Sequence, residues 1–298
     1  MTAFPNSALV AFDAAYPEGA APLTHRLVGH DLLTVEAIAA LAKRLPQDRV
    51  EYNPGILPLG IAAEDTPCPT LSIAETIRTI GENGSWMVLK NVERDPAYAA
   101  LLDEMLDPLR AIVARRTGRM AHTEAFIFLS SPNSVTPFHM DPEHNILLQI
   151  QGRKTMTVFP SGDASLVPAE KSEAFAIGGH RNLAWNEAFL DKGIDVPMEP
   201  GDAILVPVKA PHYVRNGDQV SISFSITWRS ERSVAESELH SFNRLLRARH
   251  LPLVPVSHMP EKQKVARLGY RVMRKVAGRA ALSDASSAAP NIPPPARG

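Results

Sequence analysis

Two stretches of sequence decide the fold: TPFHMD at residues 136–141 and GDAILVPVKAPH at residues 201–212. Together they supply two imidazoles and one carboxylate, with His212 lying 71 positions after Asp141. On a β-strand the side chains at i and i+2 point to the same face, so His139 and Asp141 can both face the interior of a barrel. A third group would then reach the same point from a distant strand.

Two histidines and one carboxylate on one side of a metal leave its other positions open, which is the ligand set of non-haem Fe(II) oxygenases. Each residue also has a structural alternative: His139 as a buried core histidine, and Asp141 as a turn residue before Pro142. His144 is the nearest competing imidazole. Its parity along a strand is opposite to that of the other groups, so we expect it to face away from the metal, as a supporting or surface residue.

The residues around these groups follow a known frame. The segment from Gly201 to Asn216 reads G-x5-P-x-K-x2-H-x3-N and resembles the second cupin motif, with Lys209 where that family usually carries Gly. The segment from His139 to Gly152 resembles the first cupin motif, with Asp141 replacing the second His and Asn145 replacing the Glu. These replacements would turn a four-ligand cupin site into a His-Asp-His site.

The likeness sharpens into the JmjC-type, cupin-like branch of the 2-oxoglutarate oxygenases, particularly its asparaginyl-hydroxylase-like members. That branch carries a Thr three residues before the first His, an Asn six residues after it and a Lys fifteen residues after it. Here these are Thr136, Asn145 and Lys154, and the resemblance covers roughly residues 85–230.

The resemblance implies a role for each of these residues. His139, Asp141 and His212 would bind Fe(II), and Thr136 and Lys154 would hold the distal carboxylate of 2-oxoglutarate. Asn145 would contact the cosubstrate or support a metal ligand. Ser225 falls where some relatives carry an Asn, so no role carries over to it.

The pattern around Lys154 agrees with the role that the resemblance implies for it. Residues 146–151 and 154–159 read as two strands joined by a hairpin turn that contains Gly152. Lys154 shares its strand face with Met156 and Val158, an apolar face that should point inward. A buried ammonium needs an anionic partner, which a dicarboxylate would provide. Alternatively, Lys154 lies at a strand end and extends its ammonium to solvent.

The chain as a whole predicts a mainly β fold with flanking helices, a jelly-roll or double-stranded β-helix. Helices are expected at residues 34–45, from the Ser72–Glu75 capping box to about Gly81, and from Pro96 to about Arg116. Strands follow from about residue 124, and helices return at 234–250 and 260–279. Residues 161–200, with few strand patterns, should border the mouth of the site.

We expect four regions along the chain. A helical and mixed N-terminal region packs on the barrel over residues 1–120. The jelly-roll core occupies residues 121–232, C-terminal helices occupy 233–280, and a disordered tail rich in Ala, Ser and Pro occupies 281–298.

The composition of the chain indicates the cellular compartment in which it is expected. The chain has 298 residues, 45% of them hydrophobic, and a single cysteine, Cys68, which excludes an internal disulfide and fits a reducing interior. Neither a secretory signal nor a membrane-spanning run is visible, so we expect a cytoplasmic protein.

The basic charge is concentrated near the C-terminal end. Residues 241–280 carry a net charge of +9 and residues 1–240 a net charge of −10. This basic segment either attracts an anionic partner or forms the solvated side of helices that lie on an acidic body. No nucleic-acid motif accompanies it, so we do not expect a nucleic-acid partner.

The sequence thus predicts an Fe(II)- and 2-oxoglutarate-dependent oxygenase that uses O2 to hydroxylate a protein side chain or a small molecule. N-methyl demethylation uses the same metal site and stays open. The alternative is a non-catalytic cupin-like protein that binds a metal or a small molecule as a sensor. An apolar stripe on residues 260–279 (Val265, Leu268, Val272 and Val276) packs either on the chain's own barrel or against a second copy in a homodimer.

Overall fold

The structure, a computed structural model, describes residues 3–55, 57–62, 65, 71–256, 265 and 267–271. It divides into two compact units. The first contains Met1–Ser161 and Asn182–Ser230, and the second contains Gly162–Arg181 and Glu231–Gly298. The four-region division expected from the sequence stays a prediction.

The described part of the chain forms six α-helices and eleven β-strands, joined by turns and short 3-10 segments. The helices are α1 Asn6–Ala15, α2 Val35–Ala42, α3 Ile73–Arg78, α4 Pro96–Thr117, α5 Ala169–Phe175 and α6 Glu231–Arg247. The strands are β1 Ala21–Thr24, β2 Val50–Pro54, β3 Ser85–Lys90, β4 Met120–Ser130, β5 Val135–His139, β6 His144–Gln151, β7 Lys154–Val158, β8 Ile194–Met198, β9 Asp202–Val206, β10 His212–Asn216 and β11 Ser221–Ser230. None of the described helices is long and apolar enough to span a membrane.

The strands of the first unit form two antiparallel sheets. The larger has the order β1-β9-β6-β11-β4-β3-β2, and the smaller has the order β5-β10-β7-β8. Four-stranded halves that exchange strands in this way define a jelly-roll, here extended by β1 at one edge and by β3 and β2 at the other. The expected mainly β fold with flanking helices is therefore confirmed.

The large sheet has two chemically different faces, which β11 shows most clearly. Ile222, Phe224 and Ile226 belong to a large apolar core that also contains residues of α1, α2 and α4. The alternate residues of β11 are small hydroxyl side chains, all buried: Ser221, Ser223, Ser225 and Thr227. These face the interior between the sheets, where a second, smaller apolar cluster includes Leu147, Met156 and Val214. Small side chains on this face leave space in the interior for a ligand.

The hairpin predicted from residues 146–159 is wrong. β6 pairs with β9 and β11 in the large sheet, whereas β7 pairs with β10 and β8 in the small one. The Gly152 turn therefore carries the chain from one sheet to the other. A Cβ at Gly152 would lie 2.4 Å from the carbonyl oxygen of Val220, and its φ is +71°. Only glycine allows this close approach in a left-handed conformation.

The starts of two helices agree with their sequence signals, whereas α2 and α3 end about three residues earlier than expected. Thr34 accepts a hydrogen bond from the Ala37 N–H at the start of α2, and both hydrogen bonds of the Ser72–Glu75 capping box are present. Several elements were not expected from the sequence, among them α1, β1, β2, α5 and β8. Of these, α5 and β8 lie inside the stretch thought to have few strands. Pro197 hides β8 in the sequence, and it is tolerated because β8 is an edge strand.

The second unit contains α5, α6 and the helical residues 265 and 267–271. Arg247 of α6 pairs with Glu170 and Glu173, and Arg267 and Arg271 both pair with Glu238. Part of the basic charge of residues 241–280 is therefore neutralised within this unit. Val265 and Leu268 of the predicted apolar stripe are exposed, at 73% and 64%. Val272, Val276 and the expected tail at 281–298 lie outside the described residues.

Candidate metal centre and cosubstrate pocket

The three predicted metal ligands converge in the first unit. His139 ends β5, Asp141 follows two residues later, and His212 begins β10, where it lies directly opposite His139. One ligand atom from each residue lies within 4.8 Å of the others. The Oδ2 atom of Asp141 is 3.8 Å from Nε2 of His139 and 3.6 Å from Nε2 of His212. Two donors that bind one ion at about 2.1 Å are at most about 4.2 Å apart, so Asp141 can share one metal ion with either imidazole.

Backbone carbonyls orient both imidazoles. Nδ1 of His139 lies 2.7 Å from the carbonyl oxygen of Pro137, and Nδ1 of His212 lies 3.0 Å from that of Ala210. Nδ1 must be the protonated donor in each ring, because a carbonyl oxygen only accepts. This leaves the lone pair on Nε2, the atom that faces Asp141. Such hydrogen bonds fix the ring and the tautomer of a metal-binding histidine.

The loop between β9 and β10 holds Asp141 from the other side. The Lys209 N–H donates to the Asp141 carbonyl oxygen at 2.8 Å. Lys209 has a φ of +57°, in the left-handed region. This conformation explains why the related cupin motif carries Gly at the position that Lys209 occupies here. A backbone hydrogen bond therefore joins Asp141 to the loop that leads into His212.

A β-bulge brings Thr136 to the same face as the metal ligands. Thr136 and His139 are three residues apart, an odd spacing that places side chains on opposite faces of a regular strand. In β10 their partners are Val214 and His212, which are only two residues apart. β5 therefore contains one extra residue between them, and this bulge restores the common face.

Lys154 begins β7 and points into the interior, as its strand pattern predicted. It is 6% exposed and shares its inward face with Met156 and Val158. Its ammonium has no hydrogen bond or ion pair with any residue that the structure describes. Burial lowers the pKa of Lys154 to about 7. An ammonium at this position would be costly without an anionic partner, because burial disfavours the charged form.

Asn145 and Ser225 form a pair that the sequence did not predict. Asn145 lies on β6 and Ser225 on the neighbouring β11, and the Ser225 hydroxyl donates to Asn145 Oδ1 at 2.8 Å. Because its oxygen is occupied, the Asn145 amide presents its N–H2 group as a donor to the interior. The alternation of Ser and Thr with large apolar residues over 221–228 was the signal for these inward hydroxyls.

Glu143 and Arg229 are a second pair that sequence reasoning missed. Arg229 Nη2 donates to Glu143 Oε1 at 2.8 Å. Burial raises the pKa of Glu143 to about 7; Arg229 acts to lower it, and the nearby Asp141 carboxylate to raise it. The acid was overlooked because Glu143 lies in the irregular link between two strands, where side-chain parity cannot be counted. Its charge state affects the potential at the metal centre.

His144 is buried away from the converging ligands, as its parity predicted, although it is not at the surface. Its ring lies 4.7 Å from that of Tyr16 and stacks on Trp228 with centroids 5.5 Å apart. Part of the insertion before β8 reaches the centre, because Asn182 forms a β-bridge with His139. Beside it, Trp185 packs edge-on against Phe138 at 5.2 Å.

Comparisons with known proteins give the family of this chain. The family model of the cupin-like domain matches residues 40–233. Lysine-specific demethylase JMJ30 of Arabidopsis thaliana is 31% identical over 110 residues, which are 35% of this chain and 25% of the relative. Jumonji C domain-containing protein 5 of Drosophila melanogaster is 30% identical over 111 residues, covering 34% and 26%. The chain thus spans about a quarter of the length of these curated relatives.

Among solved structures, YcfD of Escherichia coli aligns with a TM-score of 0.48 and 16% identity, covering 96% of this chain and 75% of that one. A second structure, described as the ribosomal oxygenase YcfD in complex with cobalt and 2-oxoglutarate, aligns with a TM-score of 0.47 and 16% identity, covering 90% and 66%. The family model matches well over half of the chain, over the stretch that carries all eight jelly-roll strands and the His-Asp-His group. This chain therefore belongs to the cupin-like domain family.

Proposed function

We propose that this protein is an Fe(II)- and 2-oxoglutarate-dependent oxygenase that hydroxylates a protein side chain or a small molecule. One observation carries the proposal. A three-donor group with its imidazoles already oriented shares the barrel interior with a buried lysine that has no acceptor among the described residues. A metal alone would satisfy the first feature. A metal-chelating dicarboxylate would satisfy both.

The chain's own residues have distinct tasks in this proposal. His139, Asp141 and His212 would hold the iron, and Thr136 and Lys154 would bind the distal carboxylate of 2-oxoglutarate. Asn145, held by Ser225, would donate a hydrogen bond to the cosubstrate. The buried interior would exclude water from the reacting groups. When bound, iron and 2-oxoglutarate supply the oxidising power with O2, and 2-oxoglutarate leaves as succinate and CO2.

Two alternatives to hydroxylation can be compared with this site. N-methyl demethylation needs the same metal centre, and relatives of this chain include proteins named lysine-specific demethylases. A non-catalytic sensor would need only metal or small-molecule binding. The buried Lys154 favours the oxygenase over the sensor, because a metal-binding sensor gains nothing from an ammonium that is costly to bury.

Succinate release tests the proposal. The protein with Fe(II), 2-oxoglutarate and O2 should release succinate slowly by itself and faster with a substrate from peptide and metabolite libraries. Protein loaded with Zn(II) is the matched control, because zinc occupies such sites without redox chemistry. Two results together would favour the sensor: the Mn(II)-loaded protein does not bind 2-oxoglutarate, and the Fe(II)-loaded protein does not release succinate.

We also propose a homodimer through the C-terminal helix and a cytoplasmic location. Val265 and Leu268 expose apolar side chains at helical spacing. Val265→Glu combined with Leu268→Glu should convert a dimer to a folded monomer in light scattering, with circular dichroism as the folding check. The acidic charge of residues 1–240 could meet the basic segment of the second copy, and salt would then weaken the dimer. A parent protein that is monomeric at micromolar concentration contradicts this proposal.

A further inference from the structure

Trp86 carries a buried hydrogen-bond donor that no described residue satisfies. The side chain is 6% exposed, and its indole Nε1 has no acceptor within the described ranges of the chain. An indole N–H can only donate. A buried donor without a partner costs roughly as much as a lost hydrogen bond, so such a group calls for an explanation.

The alternation of β3 places Trp86 on the inward face. Met87 and Leu89 belong to the large apolar core that packs against the helices. Trp86 and Val88 point to the opposite face and belong to neither apolar cluster. The indole therefore faces the interior between the two sheets, the space that also receives Lys154.

Strand register places Trp86 and Lys154 at the same end of this interior. Trp86 lies opposite Ser130, the last residue of β4, and the following Ser131 N–H donates to the Ser85 carbonyl at 2.8 Å. Four residues beyond Ser130, Ser134 accepts hydrogen bonds from Asn216. Asn216 is the cross-strand partner of Lys154. The short link between β4 and β5 thus bonds at one end to β3, which carries Trp86, and at the other end to β10, which pairs with the β7 strand of Lys154.

Glycine contacts close this end of the barrel. Gly55, just after β2, donates to the Gly84 carbonyl and accepts from the Val135 N–H at 2.7 Å. A Cβ at Gly55 would lie 2.8 Å from that of Ser134, so no larger residue fits without a shift. β3 is therefore held close to the start of β5, where Thr136 lies.

Two buried donors at this end have no acceptor among the described residues, the Trp86 N–H and the Lys154 ammonium. One buried acceptor here, Asn216 Oδ1, is also unpaired, but it bonds to neither donor. A carboxylate has two oxygens that together accept about four hydrogen bonds, so one carboxylate can serve both groups. We infer that Trp86 donates a hydrogen bond from Nε1 to the distal carboxylate of 2-oxoglutarate, beside Lys154 and Thr136. This assignment rests on the proposed function.

Indole resonances report on this contact directly. The chain has three tryptophans, Trp86, Trp185 and Trp228, and hence three indole N–H signals in a nitrogen–proton correlation spectrum. In the Zn(II)-loaded parent protein, 2-oxoglutarate should move the Trp86 signal strongly downfield. The Trp185 indole already donates to Glu187, and its signal should move little. A Trp86 signal that stays in place while 2-oxoglutarate binds overturns the assignment but leaves the proposed function standing.

Affinity measurements on W86F and W228F complete the test. Trp228 is the matched control, because its buried indole N–H also lacks a partner but lies on the helix-facing side of the large sheet. W86F should weaken 2-oxoglutarate binding to the Mn(II) protein about tenfold or more, the cost of losing a hydrogen bond to a charged acceptor. It should not change the affinity for 2-oxobutyrate, which lacks the distal carboxylate. W228F should bind both compounds like the parent.

The possible failures are distinguishable. Equal weakening of both compounds by W86F, or none, overturns the role of Trp86. A parent protein that binds neither compound overturns the proposed function and this assignment with it.

Discussion

Replacing His139 or Asp141 with alanine is expected to remove nearly all metal binding. Three side chains supply every protein donor of the proposed site, and two remaining donors keep little of its geometry. Loss of a residue that merely supports a ligand typically costs about 10–100-fold in metal affinity, so loss of a ligand should cost more than about 100-fold. Calorimetric titration with Mn(II), a substitute for Fe(II) that resists oxidation, measures the change.

The control for this experiment is a histidine outside the site. His144 is a poor choice, because it is buried against Tyr16 and Trp228 and its removal would leave a cavity. His122 is exposed and has a φ of +48°, a conformation that asparagine tolerates. His122→Asn should therefore bind Mn(II) like the parent. If both ligand variants also bind Mn(II) like the parent, the metal assignment is wrong.

Lys154→Met is expected to stabilise the protein without its cosubstrate and to abolish cosubstrate binding. Methionine fills a similar volume and removes a buried ammonium that has no described partner. The bound carboxylate, in contrast, would lose its charge partner, which costs roughly 3–5 kcal/mol. Metal affinity should stay nearly unchanged. Thr136→Val removes only a neutral hydroxyl and should cost less, about 0.5–1.5 kcal/mol.

Lys90 provides a control of opposite sign. It is also buried on the inward face of the large sheet, but it forms an ion pair with Glu51. Lys90→Met should therefore destabilise the protein, because it leaves a buried carboxylate without its cation. Urea denaturation of both variants compares the signs. A Lys154→Met protein that binds 2-oxoglutarate like the parent would exclude Lys154 as the anchor.

The same lysine makes stability depend on pH. Burial lowers the pKa of Lys154 to about 7 in the folded protein, whereas in the unfolded chain it is about 10.4. Between these values the unfolded chain binds more protons, so the contribution of Lys154 to stability rises with pH from about 7 to about 10. Lys154→Met should remove this rise in urea denaturation at about pH 7.5 and about pH 9.5.

Cosubstrate binding should reverse that protonation. A bound carboxylate favours the charged ammonium of Lys154. Binding of 2-oxoglutarate at about pH 8.5 should therefore be accompanied by the uptake of close to one proton per chain. Its affinity should fall as pH rises above about 7. Calorimetry in buffers of different ionisation enthalpy measures the uptake. Lys154→Met should show none.

Residue spacing alone predicted much of the centre. His139 ends β5 and Asp141 lies two residues later, just beyond the strand, and the second motif supplies His212. The converging donors therefore follow from the i, i+2 spacing together with the motif likeness. The inward face of Lys154 follows from the same periodicity. Helix starts were equally local, because the Thr34 cap and the Ser72–Glu75 box act within a single turn.

Only the tertiary structure decided which strands pair and which buried groups meet. A short turn that contains glycine has the same sequence pattern whether it joins two strands of one sheet or two strands of different sheets. The sequence of the Gly152 turn therefore predicted a hairpin that does not form. The bulge that turns Thr136 inward, the Glu143–Arg229 pair and the unpartnered Trp86 indole depend on register between strands far apart in the chain. Periodicity fixes the face of a strand on which a side chain lies. The partners across the barrel depend on packing and hydrogen bonding summed over the whole fold, which no local stretch of sequence contains.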